Sequence, residues 1–164
     1  MWKYPGNDDH WRYMPGRSIR RMPPSNVLVP LDGSPLADKA FKKALELFDC
    51  RVTVLNVVTP LDGAMSEGGI LDPGADRRET AQERADRLVE RARTQAAEVD
   101  RTIETAVETG DPAEVILEYS TAHDVDHIVM GGHGGQRSGI ARRLLGTVAT
   151  RVVGEAPMTV TVVR

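Results

Sequence analysis

The sequence predicts an α/β protein with three layers, in which helices cover both faces of a five-stranded parallel sheet. Short β-branched or apolar segments alternate with amphipathic segments throughout 26–164, in the order β-α-β-α-β-α-β-α-β. Two of the apolar segments end directly in glycine-containing breakers. The alternating order requires crossover connections, which are right-handed and place helices on both faces of a parallel sheet.

The first third of this pattern predicts two strands and the helix between them. The first strand is expected at 26–31, a short apolar run suited to a buried parallel strand. Ser34 is the expected N-cap of the first helix, and Pro35 its first residue. The second strand is expected at 51–58. One wide apolar face of the helix is formed by Ala37, Ala40, Phe41, Ala44, Leu45 and Phe48.

The middle of the chain predicts a long loop, a long helix and an edge strand. The loop is expected at about 59–76, where the sequence is polar and contains glycine and proline. The second helix is expected at about 77–99, with alanine, leucine and valine on one side and a solvated surface elsewhere. The third strand, at 102–108, alternates more weakly, which favours an edge position.

The last third predicts two helices and two strands. Asp111 is the expected N-cap of the third helix, and Pro112 its first residue. The fourth strand is expected at 126–130 and the fifth at 158–163. The apolar residues predicted for the third and fourth helices are Ile116, Leu117, Leu144, Leu145, Val148, Ala149, Val152 and Val153.

The composition excludes several classes of protein. A chain of 164 residues corresponds to about one domain. Cys50 is the single cysteine, so no intrachain disulfide forms, which fits a reducing cytoplasm. No apolar stretch approaches the length of about 18 residues that crosses a bilayer, and no secretory signal is expected. The net charge of -3 argues against non-specific nucleic-acid binding.

Residues 1–25 are predicted to lie outside the folded domain, which is expected to span 26–164. They carry five basic and two acidic residues, whereas the rest of the chain has a net charge of -6. They also hold four of the seven aromatic residues and show no helical or strand period. This extension is either a flexible tail or an arm whose tryptophans dock on this chain or on a partner.

A glycine-rich segment over 131–139 follows the fourth strand and precedes the fourth helix. Such a segment gathers backbone N–H groups at the positive end of a helix, an arrangement that binds phosphate. It is not a Walker A loop, because no lysine follows Asp126, and it is not the dinucleotide fingerprint, which follows a first strand. A solvent-exposed loop that happens to be rich in glycine is the alternative interpretation.

The other chemistry-bearing residues in this region have simpler interpretations. No second histidine, cysteine or spaced carboxylate accompanies His133, so no metal site is expected. Ser34 lacks a nucleophile elbow and is assigned to helix capping, which leaves no candidate catalytic residue. Asp32 comes directly after a strand and is either a turn former or a ligand-binding residue.

Three sequence blocks resemble the universal stress proteins of the ATP-binding type. They are Val27–Ser34, Gly110-Asp111-Pro112, and Met130–Gly134 continued by Gly146-Thr147, and the resemblance covers 26–164. It implies a Rossmann-like fold of the adenine nucleotide alpha hydrolase-like kind, with dimerisation through the last strand. ATP-binding members carry the motif Gly-x2-Gly-x9-Gly-Ser/Thr. Eleven residues, rather than nine, separate Gly134 from Gly146, which is most simply explained by an insertion of Gly135-Gln136.

The resemblance also implies which residues contact the nucleotide. Those on the adenosine side would be Pro30, Leu31, Asp32, Gly33 and Val57. Those bordering the ribose and phosphates would be Met130, Gly131 and Gly134, and those presenting amides and a hydroxyl to the phosphates would be Gly146, Thr147 and Val148. A Mg²⁺ ion could accompany ATP, held by phosphates and water with at most one carboxylate, such as that of Asp32.

The expected function is therefore that of an ATP-binding stress protein, a nucleotide-dependent sensor or regulator with at most slow hydrolysis and no enzymatic role. We expect a cytoplasmic homodimer with ATP and an unidentified regulatory protein as partners, and neither nucleic acid nor membrane. Two alternatives remain at this point. One is a nucleotide-cleaving enzyme on the same fold, and the other is a dimeric interaction module that has lost its nucleotide.

Overall fold

The computed structural model describes residues 23–60, 74–132 and 145–164, with only the backbone described at 74–80. Within these ranges strands and helices alternate in the predicted order. The strands are β1 (Asn26–Pro30), β2 (Arg51–Val58), β3 (Glu104–Thr109), β4 (His127–Gly131) and β5 (Thr159–Val163). The helices are α1 (Pro35–Leu47), α2 (Gly74–Ala97), α3 (Pro112–Ala122) and α4 (Thr147–Glu155).

The five strands form one parallel sheet in the order β3-β2-β1-β4-β5. This confirms the predicted fold class, and it confirms that β3 lies at an edge. The strand order reverses between β1 and β4, so the loops that leave these two strands diverge to opposite sides. Ligands of open α/β sheets bind at such a point, beyond the carboxyl ends of the strands.

The helices pack as two pairs on opposite faces of the sheet. On one face, α1 and α2 bury residues including Phe41, Ala44, Ala92 and Ala96 against β1, β2 and β4. On the other face, α3 and α4 bury residues including Ile116, Ala149 and Val152. None of the helices in the described ranges has the length and apolar character that a membrane span requires.

Several predicted boundaries differ from those observed. The first helix ends at Leu47, because Phe48 adopts an extended backbone with φ -122° and ψ 120°. The fourth helix begins at Thr147, after Leu145 and Gly146 in a non-helical conformation, and Leu144 lies outside the described residues. Val153, predicted for the apolar face of this helix, is 46% exposed, since the sheet covers only the side that carries Ala149 and Val152.

Candidate functional site

A cavity of about 610 Å³ opens at the carboxyl ends of the strands, above the junction of β1 and β4. The sheet, both helix layers and the start of α4 all contribute to its wall. Nine residues of the predicted nucleotide site lie in this wall: Pro30, Leu31, Asp32, Val57, Met130, Gly131, Gly146, Thr147 and Val148. The structure thus brings together residues that are more than 100 positions apart in the sequence.

The end of β1 is held in place by hydrogen bonds with β2. The Leu31 amide donates to the Leu55 carbonyl over 2.9 Å. The buried side chain of Asn56 donates from Nδ2 to the Leu31 carbonyl over 2.6 Å. Asn56 also lines the cavity, although it is not among the residues predicted for the site. A polar residue within the apolar run of β2 was the available signal, because a buried amide in a central strand needs a partner.

The turn after β1 combines a structural role with a position at the cavity. The Ser34 amide donates to Oδ1 of Asp32 over 2.9 Å, so the aspartate forms the turn. Ser34 in turn accepts a hydrogen bond from the Ala37 amide over 3.2 Å, which confirms its prediction as the N-cap of α1. The exposed carboxylate of Asp32 also lines the cavity, so turn formation does not exclude ligand contact.

Gly33 and Gly131 have packing roles that the sequence analysis did not foresee. Gly33 has a φ of +80°, which favours glycine, and lies against Leu88 of α2 rather than in the cavity wall. A Cβ atom at Gly131 would stand 2.9 Å from the Ala37 nitrogen and from the Leu36 carbonyl carbon. Glycine at this position therefore allows the end of β4 to approach the first turn of α1.

The start of α4 is the part of the cavity best suited to an anion. Helices α1 and α3 also begin at this edge, and the side chains of Ser34 and Asp111 cap them. Gly146, the N-cap of α4, has no side chain, and no side-chain cap bond forms there. Because the first-turn amides of a helix have no intrahelical acceptor, this N-terminus offers hydrogen-bond donors and a positive dipole to the cavity.

The amide of Gly146 itself is already occupied. It donates to the Gly132 carbonyl over 2.7 Å, while the Gly132 amide donates to the Val163 carbonyl over 2.8 Å. The first bond fastens the end of β4 to the start of α4, and the second fastens it to the end of β5. The amides left to contact a ligand at this position are therefore those of the first turn of α4, rather than that of Gly146.

Two charged side chains occur among the described lining residues, Asp32 and Arg84. The arginine comes from the exposed side of α2, which the sequence analysis had assigned to solvent. Other lining residues absent from the predicted set include Thr59, Pro112 and Leu145. Within the ranges that the structure describes, no three metal-ligating side chains converge.

Several predictions concern residues outside the described ranges. This applies to Gly134, to His133 and to the proposed insertion of Gly135-Gln136. It also applies to 1–22, which make up most of the predicted extension. The corresponding predictions remain predictions.

Comparison with known proteins identifies the family. The model of the universal stress protein family matches residues 24–164. A universal stress protein of Methanocaldococcus jannaschii is 33% identical over 143 residues, covering 84% of this chain and 81% of that protein. The structure of the universal stress protein UspA from Lactobacillus plantarum is 27% identical, with a TM-score of 0.68, covering 85% of this chain and 97% of that one.

A universal stress protein family member from Arabidopsis thaliana, solved with AMP bound, shares the fold at a TM-score of 0.62 and 21% identity. The alignment covers 85% of this chain and 91% of the Arabidopsis chain. The family match over 24–164 includes the residues that line the cavity. The chain belongs to the universal stress protein family.

Proposed function

We propose that this protein binds an adenine nucleotide, ATP in the first instance, in the cavity between β1, β4 and the start of α4. The observation that carries the proposal is the N-terminus of α4, which faces this cavity without a side-chain cap. A phosphate group would supply the missing acceptor and would interact favourably with the helix dipole. Family membership and the position of the cavity at the reversal of strand order support the same conclusion.

The nucleotide would extend across the cavity from β2 towards α4. The adenosine would lie on the side of Pro30, Leu31, Asp32 and Val57, with Gly33 forming the turn beside it. The ribose and phosphates would lie along Met130 and Gly131. The backbone amides of Thr147 and Val148 and the hydroxyl of Thr147 would bind phosphate oxygens. Gly134 keeps its proposed role next to the phosphates, and Gly146 keeps the approach to α4 open.

The charges of the cavity wall suit a ligand with both a polar sugar and an anionic group. The carboxylate of Asp32 can accept hydrogen bonds from ribose hydroxyls, and the guanidinium of Arg84 adds positive charge to the rim. A Mg²⁺ ion, if present with ATP, would be held mainly by phosphate oxygens and water, because no three metal-ligating side chains converge in the described part of the cavity wall.

We further propose that nucleotide binding is regulatory. A phosphate at the start of α4 would act on the hydrogen bonds that join Gly146 to Gly132 and Gly132 to Val163. It would therefore couple the cavity to the end of β5 and to the surface around it. Such coupling requires that this region adopt two arrangements, and that the nucleotide bind them with different affinities. Any hydrolysis of the bound nucleotide would be slow. We place this activity in the cytoplasm.

Thermal unfolding with and without MgATP tests this proposal. If ATP at about 100 times its dissociation constant binds only the native state, the free energy of unfolding rises by roughly 2.7 kcal/mol. Gly146→Leu should remove most of this stabilisation, because its side chain would stand where the phosphates approach α4. Gly154→Leu is the matched control, since nothing lies within 4 Å of a Cβ atom at that exposed position.

The outcomes separate the possible functions. An equal ATP-dependent shift in Gly146→Leu and in the wild type would contradict the placement of the phosphates. No shift at millimolar ATP would reject nucleotide binding and favour an interaction module. Many turnovers of nucleotide product per minute would instead identify an enzyme.

We also propose that the protein forms a homodimer through the outer edge of β5. Within the described residues this strand pairs only with β4, and its residues from Val160 to Val163 are half-buried. An unpaired parallel edge offers backbone donors and acceptors to a second copy of the same strand. Sedimentation equilibrium at micromolar concentration should give twice the chain mass of 17.9 kDa. A monomer under these conditions would contradict the proposal.

A further inference from the structure

The surface at the amino ends of the strands, opposite the cavity, is strongly acidic. We define the amino-edge face as residues 46–51, 98–103, 123–126 and 155–158, the turns that lead into β2, β3, β4 and β5. These turns hold seven exposed acidic side chains against two arginines, while Lys43 and Arg151 outside the face pair with two of the seven. The acidic residues are Glu46, Asp49, Glu98, Asp100, Asp124, Asp126 and Glu155.

The helix ends add further negative potential to this face. All four helices end at this side of the sheet, and none carries a basic residue in its last turn. The C-terminus of a helix carries the negative end of its dipole, which lysine or arginine in the last turn commonly balances. The last turns of the four helices therefore supply no positive charge to a face that is already acidic.

One of the two arginines of the face is engaged internally. Arg101 donates to the carbonyls of Leu45 and Cys50 over 3.1 and 3.0 Å, and it lies 3.7 Å from the carboxylate of Asp49. These contacts join the turn before β2 to the turn before β3. Leu47 and Val99, which belong to the same two turns, are 58% and 56% exposed. The joined turns thus present two large apolar side chains among acidic ones.

The residues directly before β1, which follow the N-terminal segment 1–22, lie at this face. The amide and hydroxyl of Ser25 both donate to Oδ2 of Asp126 over 2.8 Å. Burial alone would raise the pKa of Asp126, but the hydrogen bonds from Ser25 and Asn26 outweigh it and lower the pKa, which keeps the carboxylate ionised. Asn26, the next residue, pairs with Arg51 at the start of β2, so this part of the chain lies beside the turn that leads into β2.

The composition of the segment complements this surface. Residues 1–22 carry Lys3 and four arginines against two aspartates, and also two tryptophans and two tyrosines. Aromatic side chains contact exposed leucine and valine favourably, and the basic residues would balance the acidic turns and helix ends. A chain of 22 residues can extend about 70 Å, whereas five strands span about 19 Å, so reach is not limiting.

We propose that residues 1–22 of this chain dock on the amino-edge face of the same molecule, with their aromatic side chains against Leu47 and Val99 and their basic side chains on the acidic turns. The segment then covers the exposed apolar surface and neutralises much of the negative charge. The inference does not depend on nucleotide binding, because the cavity lies at the opposite edge of the sheet.

Tryptophan fluorescence of the full chain tests the proposal directly, since Trp2 and Trp11 are the only tryptophans. In the native protein their emission should be blue-shifted and shielded from acrylamide, relative to the same chain in denaturant. The double variant Asp49→Lys/Glu98→Lys should lose this shielding, and so should the wild type in 1 M salt, where charges are screened beyond about 3 Å. The matched control is Glu83→Lys/Glu108→Lys, which makes the same charge change at exposed positions outside this face.

Far-UV circular dichroism establishes that each variant is folded before its fluorescence is compared. Equal quenching of the native and denatured chains would overturn the proposal, and so would unchanged shielding in the folded Asp49→Lys/Glu98→Lys variant. Loss of shielding in both double variants alike would also overturn it, because the effect would then not belong to this face. Shielding that disappears on dilution would show that a second copy supplies the segment, which contradicts docking within one molecule.

Discussion

Replacement of Phe41 by alanine is expected to lower the free energy of unfolding by about 3–5 kcal/mol, the largest effect that we predict for a single substitution. Phe41 lies on the buried face of α1 and has no solvent exposure. Its ring belongs to the cluster that holds α1 and α2 on β1, β2 and β4. Alanine would remove the ring and leave a cavity that the surrounding strands can fill only in part, because their backbones are fixed by the sheet.

Urea unfolding followed by circular dichroism measures this loss. Lys42→Ala is the matched control, because this residue lies on the same helix but is exposed. It should change the free energy of unfolding by less than about 0.5 kcal/mol, as is usual for surface substitutions. Similar losses in both variants would contradict the assignment of Phe41 to the core.

The second large effect is expected for Gly131→Ala, which should lower the free energy of unfolding by about 1–3 kcal/mol. The added methyl group would stand 2.9 Å from the Ala37 nitrogen and the Leu36 carbonyl carbon. These are backbone atoms of the first turn of α1, so neither can move without displacing the helix. The displacement would also change the cavity, since Gly131 and Ala37 both line it, and nucleotide affinity should fall as well.

Gly154→Ala provides the opposite expectation with the same chemical change. Gly154 lies within α4, and a Cβ atom at this position would meet nothing within 4 Å. Since glycine is unfavourable in a helix interior, alanine should stabilise the protein by roughly 0.5–1 kcal/mol. Equal stability changes in the two variants, measured in the same urea titrations, would show that α1 does not pack tightly on β4.

The glycines near β4 illustrate how one sequence pattern can have several causes. Their clustering predicted a phosphate-binding loop, and the cavity and the uncapped α4 lie where that loop would be needed. Gly131, however, is required by its contact with α1, and the amide of Gly146 is bound to Gly132. Sequence spacing cannot distinguish these roles, because it contains no information on which backbone atoms lie opposite each glycine.

Local features of the fold could be read from the sequence. The alternation of strands and helices, the capping residues Ser34 and Asp111, and the edge position of β3 all depend on neighbouring residues, whose preferences act over a few positions. The predicted helix ends were less accurate, because Phe48 and Leu145 fit the apolar face of a helix but are not helical. Their side chains can reach the core from an extended backbone.

The composition of the cavity wall was decided by tertiary structure. The contact of Asn56 with Leu31, and the places of Arg84 and Leu88 near the turn after β1, depend on which strands are neighbours and on how α2 crosses them. Hydrophobic periodicity determines which side of an element is buried, but not which element covers it. That choice depends on packing between segments far apart in the chain, and it exists only once the whole sheet has formed.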